Sequence, residues 1–222
     1  MCMLTAKNIS YWYKQQDDYL FKDVNLSFDS GKTYAILGSS GSGKTTFLSL
    51  LSGMDKPKEG QIVWDDQDIA KLGLTRYRKT GVSIVFQAYN LLPYMTALQN
   101  VTTAMSITRA KQSDAKKYAL TMLKSVGIDD VLAKKNVTKL SGGQQQRVAI
   151  VRAMCCDAPI IVADEPTGNL DQATSKEIIT ILQTIARQQN KTVIIVTHEL
   201  EVAHQCDFVF ELTDKKFQTI IS

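Results

Sequence analysis

The chain has 222 residues, of which 44% are hydrophobic and 22% charged, and it carries a formal net charge of +4. This composition excludes a disordered protein and suits one large domain with a full hydrophobic core. The positive charge is small and dispersed, without a basic run or a basic-aromatic platform, so we expect no nucleic-acid partner.

The N-terminal sequence and the apolar runs bear on where the protein works. The first ten residues, MCMLTAKNIS, contain no cationic segment followed by an apolar one, so we expect no signal peptide. The longest apolar runs, such as 193–196, are far shorter than the ~20 residues of a membrane span. The sequence therefore predicts a cytosolic protein that reaches a membrane only through a partner. Its cysteines lack metal-ligand spacing and are expected to be reduced thiols: Cys2, Cys155, Cys156 and Cys206.

The first part of the chain predicts antiparallel β structure ahead of any parallel unit. Apolar residues alternate along two segments on either side of a polar loop at 14–18, as in a hairpin. A turn at 30–31 then leads into a short apolar strand. The predicted elements are, in order, strands at 4–13, 20–28 and 34–37, a helix at 46–51, and a strand at 61–64.

The segment at 38–45 fits the phosphate-loop pattern and lies between a predicted strand and a predicted helix. Its glycines let consecutive backbone N–H groups converge on a phosphate, and the positive end of the helix points at the same anion. Lys44 can reach the outer phosphates, and the Thr45 hydroxyl can bind Mg²⁺. The alternative is an ordinary glycine-serine turn beside a surface lysine. The predicted phosphate site consists of Gly38, Ser39, Ser40, Gly41, Ser42, Gly43, Lys44, Thr45 and Thr46.

The second half of the chain predicts helices followed by parallel strands. After a buried strand at 81–86, the apolar segment 88–95 is interrupted by Pro93, which favours a docking surface over a core element. Two helices at 96–107 and 112–126 then suggest a small helical subdomain inserted into the sheet. The remaining elements are a helix at 145–154, a strand at 159–163, a helix at 172–189, a strand at 192–196, and a terminal hairpin at 208–212 and 217–221.

Polar side chains follow three of the predicted buried strands: Gln87, the pair Asp164-Glu165, and His198. Ligands of parallel sheets bind beyond the carboxyl ends of the strands, so these residues are expected to face the phosphate loop. Asp164 suits a Mg²⁺ ligand, and Glu165 could polarise a water for attack on a γ-phosphate. His198 could hydrogen-bond that phosphate, and Gln87 could contact Mg²⁺ or water. Taken singly, His198 and Gln87 are better explained by structural roles, and only the whole set of strand-end residues favours a functional role.

The segment Ser141-Gly142-Gly143-Gln144 begins a helix, with Ser141 as its N-cap. Two glycines at a helix start cost stability unless the backbone must come close to something, and a phosphate would explain them. The phosphate loop already occupies one side of a nucleotide. The second anion-binding helix end therefore suggests a two-fold dimer in which this segment faces the partner's nucleotide.

The motifs closely resemble those of the nucleotide-binding subunit of ABC transporters. In chain order they are GSSGSGKT, Gln87, LSGGQ, IIVADE, the turn at 169–171, and His198. The resemblance covers essentially the whole chain and implies an α/β fold, with a P-loop NTPase core, a mainly parallel sheet, an N-terminal antiparallel β subdomain and an inserted helical subdomain. It implies one domain over 1–222, with the core at 1–87 and 157–222 and the helical subdomain at 88–156.

The resemblance also implies ATP and Mg²⁺ as ligands and a role for each site residue. It assigns phosphates and Mg²⁺ to Lys44, Thr45 and Asp164. Glu165 becomes the catalytic base, His198 the switch residue, and Gln87 the link to a membrane partner. Family members stack adenine on an aromatic residue of the first strand region, which is Tyr13 here, although Tyr11 shares its strand face and Tyr13 itself could be a core residue. The residues implied to complete the opposite subunit's site are Ser141, Gly143 and Gln144, with Asp171 in the communicating turn.

The stretches at 86–101 and 166–171 look most like the subfamily for lipoprotein release, macrolide efflux and antimicrobial-peptide resistance. The resemblance implies an ATPase that dimerises around two MgATP and drives a separate membrane permease from the cytoplasmic face. The alternative is a soluble ATPase of the same superfamily that acts in repair or translation. The chain shows neither the long coiled coil typical of the repair type nor the paired cassettes of the translation type.

Overall fold

The computed structural model describes residues 2–14 and 18–221. The middle of the loop predicted at 14–18 and the side chain of Cys2 lie outside the described part. The strands are β1 (Cys2–Trp12), β2 (Tyr19–Asp29), β3 (Thr33–Leu37), β4 (Glu59–Trp64), β5 (Gln67–Asp68), β6 (Val82–Val85), β7 (Ile160–Asp164), β8 (Thr192–Thr197), β9 (Phe208–Thr213) and β10 (Lys216–Ile221). The helices are α1 (Lys44–Leu51), α2 (Ile69–Leu72), α3 (Leu74–Thr80), α4 (Ala97–Thr108), α5 (Ala115–Ser125), α6 (Asp130–Ala133), α7 (Gly142–Met154), α8 (Gln172–Gln189) and α9 (Leu200–Ala203).

The larger sheet has six strands in the order β10-β9-β3-β8-β7-β6. The pairings from β9 to β6 are parallel, and β10 pairs antiparallel with β9 as the predicted terminal hairpin. Every residue of β3 and of β8 is buried, which explains why these strands are continuous apolar runs. The carboxyl ends of β3, β6, β7 and β8 therefore lie along one edge of the sheet.

The smaller sheet is antiparallel, in the order β2-β1-β4-β5. The hairpin predicted from the first two segments is confirmed, because β1 pairs antiparallel with β2. Buried and exposed positions alternate through the second half of β2, as expected for a sheet with one covered face. This sheet precedes the parallel units in the chain, as the sequence predicts.

Each strand of the larger sheet contributes alternate residues to two hydrophobic clusters. Ala35, Ile161 and Val193 join one cluster, whereas Tyr34 and other side chains of opposite parity join the second. The first cluster also contains residues of α4, α5, α7 and α8, and the second contains residues of α1 and of the antiparallel sheet. The inserted helices therefore share a core with the sheet.

The helices between β6 and β7 follow the prediction with small shifts at their ends. Helix α4 begins one residue later than predicted, after a capping box in which Thr96 and Gln99 satisfy each other's backbone N–H groups. Helix α5 begins at Ala115, because the Asp114 carboxylate accepts from the Lys117 N–H and ends the preceding loop. In the described part of the chain, no helix combines the length and apolar character needed to cross a membrane.

Several short elements are not predicted by the sequence pattern: β5, α2, α3, α6, α9 and a 3₁₀ turn at Val137–Lys139. Each has seven residues or fewer, too few for a periodic apolar pattern to be recognised. In α2 and α3 only Ile69 and Tyr77 are buried. Cys155, Cys156 and Cys206 are buried free thiols, as predicted.

Candidate functional site

The loop between β3 and α1 forms a closely packed cradle around the Lys44 side chain. The Lys44 ammonium group donates to the carbonyl oxygens of Gly38 and Ser39, at 2.8 Å each. Burial lowers the pKa of Lys44, against the opposing effect of the Glu165 and Asp164 carboxylates. The lysine is only 5% exposed, so its charge is concentrated inside the loop.

Two glycines have backbone requirements that explain the loop sequence. Gly43 has φ +108°, and a Cβ there would lie 2.7 Å from the Leu20 side chain. Gly38 has an ordinary φ, but its Cβ would lie 2.8 Å from the Leu212 carbonyl oxygen. Gly38 is thus needed for close packing. Gly43 is needed both for close packing and for its backbone conformation. The loop surrounds an ammonium group and carries no side chain at these two glycines. Such a loop can bind a chain of phosphates.

Thr45 and Asp164 place two oxygen atoms beside this cradle. The Thr45 hydroxyl donates to Asp164 Oδ1 at 3.3 Å, joining the start of α1 to the end of β7. Burial raises the pKa of Asp164, and the hydrogen bond from Thr45 partly offsets that effect. A hydroxyl and a carboxylate oxygen next to a phosphate site match the preference of Mg²⁺ for a few protein oxygens together with phosphate oxygens.

Glu165 and His198 meet where β7 and β8 end. His198 Nδ1 lies 3.1 Å from Glu165 Oε1, and the two strands are neighbours in the sheet. Glu165 has φ +43°, a left-handed conformation that is uncommon for a residue with a Cβ. Its side chain is 24% exposed and that of His198 is 52% exposed. The pair can therefore contact a ligand while remaining anchored.

Gln87, after β6, reaches the same region. A Cβ on Gly168 would lie 2.7 Å from Gln87 Nε2 and 3.5 Å from Glu165 Oε2, so both side chains border that glycine. Asn169 Nδ2 also donates to the Gln87 carbonyl oxygen at 3.3 Å. The structure thus brings together the strand-end residues that the sequence predicts.

The two tyrosines at the end of β1 differ sharply in exposure. Tyr13 is 66% exposed, and its hydroxyl lies 2.5 Å from Thr46 Oγ1 at the phosphate loop. Tyr11 is 6% exposed and donates to Asp55 Oδ2 at 2.7 Å, which raises its pKa to about 12. The Tyr13 ring is therefore exposed beside the loop. The buried Tyr11 ring packs against the Tyr13 ring in a T-shaped arrangement. This geometry favours Tyr13 for contact with a base.

The segment at 141–144 begins α7 with the predicted N-cap. Ser141 Oγ accepts from the Gln144 N–H, and the Gln144 side chain accepts from the Ser141 N–H. Ser141 is exposed, so its hydroxyl faces outward from this chain. Asp171 caps α8 in a similar way, since its carboxylate accepts from the Thr174 N–H and hydroxyl. The hydrogen bond from the Thr174 N–H is the main cause of the lowered Asp171 pKa.

The glycines of this segment have neighbours in their own chain. A Cβ on Gly142 would lie 2.8 Å from the Tyr89 hydroxyl, and a Cβ on Gly143 would lie 2.7 Å from Thr174 Cγ2. Close packing within one chain therefore explains both glycines without any anion. The sequence argument from glycine to phosphate loses force here, and the exposed Ser141 N-cap remains as its main support.

Three residues of the site region carry no sequence prediction: Gln146, Thr167 and Glu199. Gln146 is completely buried and donates to the Pro166 carbonyl oxygen at 2.8 Å. Thr167 donates to Glu199 Oε1 at 3.0 Å. A polar residue on the buried face of α7 is a signal that could have marked Gln146. Thr167 and Glu199 have no comparable signal, because their contact joins two turns distant in sequence.

Comparison with known proteins shows which family and which relatives this chain is similar to. Residues 21–168 match the protein family described as ABC transporter. An uncharacterized ABC transporter ATP-binding protein of Bacillus subtilis, YclH, is 55% identical over 217 residues, which cover 98% of this chain and 96% of YclH. The lipoprotein-releasing system ATP-binding protein LolD of Francisella tularensis is 37% identical over 228 residues, covering 99% and 97% of the two chains.

A solved structure gives the same result for the fold. The ATP-binding cassette MJ0796, in a dimeric post-hydrolysis state bound to ADP and Pi, superposes with a TM-score of 0.85 at 36% identity. The match covers 99% of this chain and 100% of that structure. As a sequence, MJ0796 of Methanocaldococcus jannaschii is 39% identical over 220 residues, covering 96% and 94% of the two chains. The predicted fold class is confirmed.

Proposed function

The chain belongs to the ABC transporter family as an ATP-binding subunit, and from this premise we propose how it uses ATP. Two copies close around two MgATP, and hydrolysis in that dimer drives a separate membrane permease. The observation that carries the proposal is the contact between Glu165 and His198 at the sheet edge that also holds the Lys44 cradle. MJ0796, described as a dimeric cassette with ADP and Pi, supports the same arrangement.

The loop residues bind the triphosphate. The backbone N–H groups of the loop and the Lys44 ammonium group contact the phosphate oxygens, which compete with the loop carbonyls for that ammonium group. Thr45, Asp164 and Gln87 are the residues that would hold Mg²⁺. When bound there, the ion neutralises charge that develops on the phosphates. Thr46, Ser39, Ser40 and Ser42 complete the protein surface around the phosphates.

Glu165 and His198 act at the γ-phosphate end. The Glu165 carboxylate accepts a proton from the attacking water, and His198 donates a hydrogen bond toward the transferred phosphoryl group. The contact between His198 Nδ1 and Glu165 Oε1 keeps the two side chains next to each other at this end of the site. Gln87 lies beside the same turn and helps to place the water. This division of work supplies positioning and electrostatics, the main needs of phosphoryl transfer.

The base and the opposite subunit complete the nucleotide site. Tyr13 stacks on adenine, because its ring is the exposed one at the loop. Ser141, Gly143 and Gln144 reach the triphosphate held by the second copy, and Asp171 lies in the turn that connects the two sites. The exposed Ser141 at the start of α7 supports this assignment.

Family membership supports a membrane permease as the partner, and the likeness to one relative supports a class of substrate. The helical part at 88–156 acts as one unit that faces the permease, and the core at 1–87 and 157–222 holds the nucleotide. The likeness to LolD favours a permease that moves lipoproteins, peptides or macrolides rather than a nutrient importer. The subunit then works at the cytoplasmic face of the cell membrane. This arrangement is preferred to a repair or translation ATPase, which would need no membrane partner.

The test is ATP-dependent dimerisation of Glu165→Gln, which keeps the site shape but removes the proton acceptor. We expect this variant to bind MgATP, lose most hydrolysis and elute as a dimer in size-exclusion chromatography. Adding Ser141→Arg to it should abolish the dimer while ATP still binds to the monomer, because the arginine fills the space assigned to the partner's nucleotide. Undiminished turnover by Glu165→Gln, or dimers despite the arginine, would contradict the proposal.

A further inference from the structure

The two turns that carry Glu165 and His198 lie outside regular secondary structure. Glu165 follows the last residue of β7, and His198 follows the last residue of β8. The positive φ of Glu165 adds strain, which persists only when surrounding contacts hold the backbone in place. The separation of the two side chains, 3.1 Å, therefore depends on contacts made by their neighbours in the turns.

Three hydrogen bonds hold the Glu165 turn from three directions. The Glu165 N–H donates to the Val196 carbonyl oxygen of β8 at 2.9 Å. Gln146 of α7 donates to the Pro166 carbonyl oxygen at 2.8 Å. Thr167 donates to the Glu199 carboxylate at 3.0 Å, and Thr167 is only 2% exposed. The last bond joins the two catalytic turns through side chains alone.

Within residues 2–14 and 18–221, the hydrogen bond from Thr167 is the one that the Glu199 side chain makes. It occupies the N-cap position of α9, yet its carboxylate makes no capping hydrogen bond to that helix. Its backbone N–H donates to Thr197 Oγ1 at 3.0 Å, which fixes the turn immediately around His198. A hydroxyl that donates to a carboxylate forms a charge-assisted bond, stronger than a neutral one. The bond therefore ties a rigid position beside His198 to a buried position beside Glu165.

We propose that Thr167 and Glu199 are positioning residues whose hydrogen bond sets the placement of Glu165 relative to His198. The inference rests on the proposed roles of Glu165 and His198 in ATP hydrolysis. Loss of the bond frees the two turns from each other, so the carboxylate leaves its orientation toward the water. The hydrogen bonds that hold the Lys44 ammonium group go to Gly38 and Ser39 and do not involve Thr167 or Glu199. Turnover falls while ATP binding persists.

The experiment compares steady-state ATPase activity of four variants in the full chain. Thr167→Val removes the hydroxyl at nearly constant shape, and Thr167→Ser retains it. Glu199→Ala removes the acceptor, and Glu199→Gln retains an oxygen that can accept. We expect kcat to fall about tenfold for Thr167→Val and for Glu199→Ala, with KM for ATP within about twofold, and the retaining variants to keep most of kcat. Thr184→Val, which loses an exposed hydroxyl on α8, is the matched control.

The double variant Thr167→Val/Glu199→Ala should be no slower than either single one, since both break the same bond. Additive losses, equal losses in Thr167→Val and Thr167→Ser, or a raised KM with unchanged kcat would each overturn the proposal. If Thr167→Val unfolds, the comparison of Glu199→Ala with Glu199→Gln decides by the same criteria. Normal hydrolysis by Glu165→Gln would instead remove the proposed base, so the two failures are distinguishable.

Discussion

At the scale of single residues, the site is organised by charges that are partly withdrawn from water. Lys44 is 5% exposed and held by two carbonyls, and Asp164 is half-buried beside Thr45. A buried ammonium group interacts more strongly with phosphate than a solvated one, because less solvent screens it. The same burial lowers the Lys44 pKa, and a bound anion would oppose that effect by stabilising the ammonium group.

Lys44→Ala tests this assignment. We expect the Kd for MgATP to rise at least tenfold, since a hydrogen bond to a charged group contributes about 1.5–3 kcal/mol. Isothermal titration calorimetry would measure the affinity, and circular dichroism would confirm the fold. Lys32→Ala, at an exposed position just before β3, is the matched control and should leave the affinity unchanged. Equal affinities for Lys44→Ala and the parent chain would contradict the role of the loop.

At the scale of elements, the sequence at the start of α7 serves both packing inside the chain and a polar surface on the outside. Gly142 and Gly143 let Tyr89 and Thr174 pack against the helix, while Ser141 keeps the outward face polar. The Thr174 hydroxyl donates to Asp171 Oδ2 at 2.7 Å, and because a β-branched side chain has few χ1 rotamers, this bond also orients the methyl group. Packing thus makes a demand on position 143 that is separate from the proposed nucleotide contact.

Gly143→Ala combined with Thr174→Ser separates these demands. The alanine Cβ would overlap the Thr174 methyl group, so the single variant should lose about 1–3 kcal/mol of unfolding free energy. Thr174→Ser removes that methyl group and keeps the hydroxyl for Asp171, so it should restore the thermal midpoint. ATPase activity should stay low in the restored double variant, because a side chain at 143 still crowds the opposite subunit's nucleotide. Full activity together with restored stability would assign Gly143 to packing alone.

At the scale of the whole molecule, the segment between β6 and α4 runs from the sheet edge beside Glu165 to the protein surface. Gln87 lies at the site, and seven residues further on Tyr94 is 73% exposed. Arg152 of α7 donates to the carbonyl oxygen of Tyr89, so the start of this segment is tied to the helix that Ser141 caps. Movement of α7 would therefore be transmitted to the exposed segment, where the permease is expected to dock.

Tyr94→Glu tests that docking surface. The charged side chain should prevent recovery of a membrane protein when the tagged subunit is isolated from native membranes in mild detergent. ATPase activity of the isolated subunit should stay within about twofold of the parent chain, since Tyr94 lies outside the site. Ile220→Glu is the matched control, because Ile220 is 46% exposed on β10, in the core part of the chain and outside the helical part proposed to face the permease. Recovery of the same partner with Tyr94→Glu would place the interface elsewhere.

The sequence by itself determined the order of the longer strands and helices, the phosphate loop, and the strand-end positions of Gln87, Asp164, Glu165 and His198. These features depend on short-range patterns: an apolar run, the polar residue that ends it, and a glycine that permits the turn. The LSGGQ segment belongs here too, because its N-cap is a local hydrogen bond. Family membership followed from the same local motifs.

Only the tertiary structure decided which tyrosine is exposed, what packs against Gly142 and Gly143, and that Gln146, Thr167 and Glu199 form hydrogen bonds in the turns after β7 and β8. Tyr11 and Tyr13 are equivalent in any pattern of alternation, and only the Asp55 contact and the packing of the core separate them. The physical reason is the same in each case. These contacts join residues that are distant along the chain. The periodic patterns of a sequence do not show which turns the fold will bring within hydrogen-bond distance.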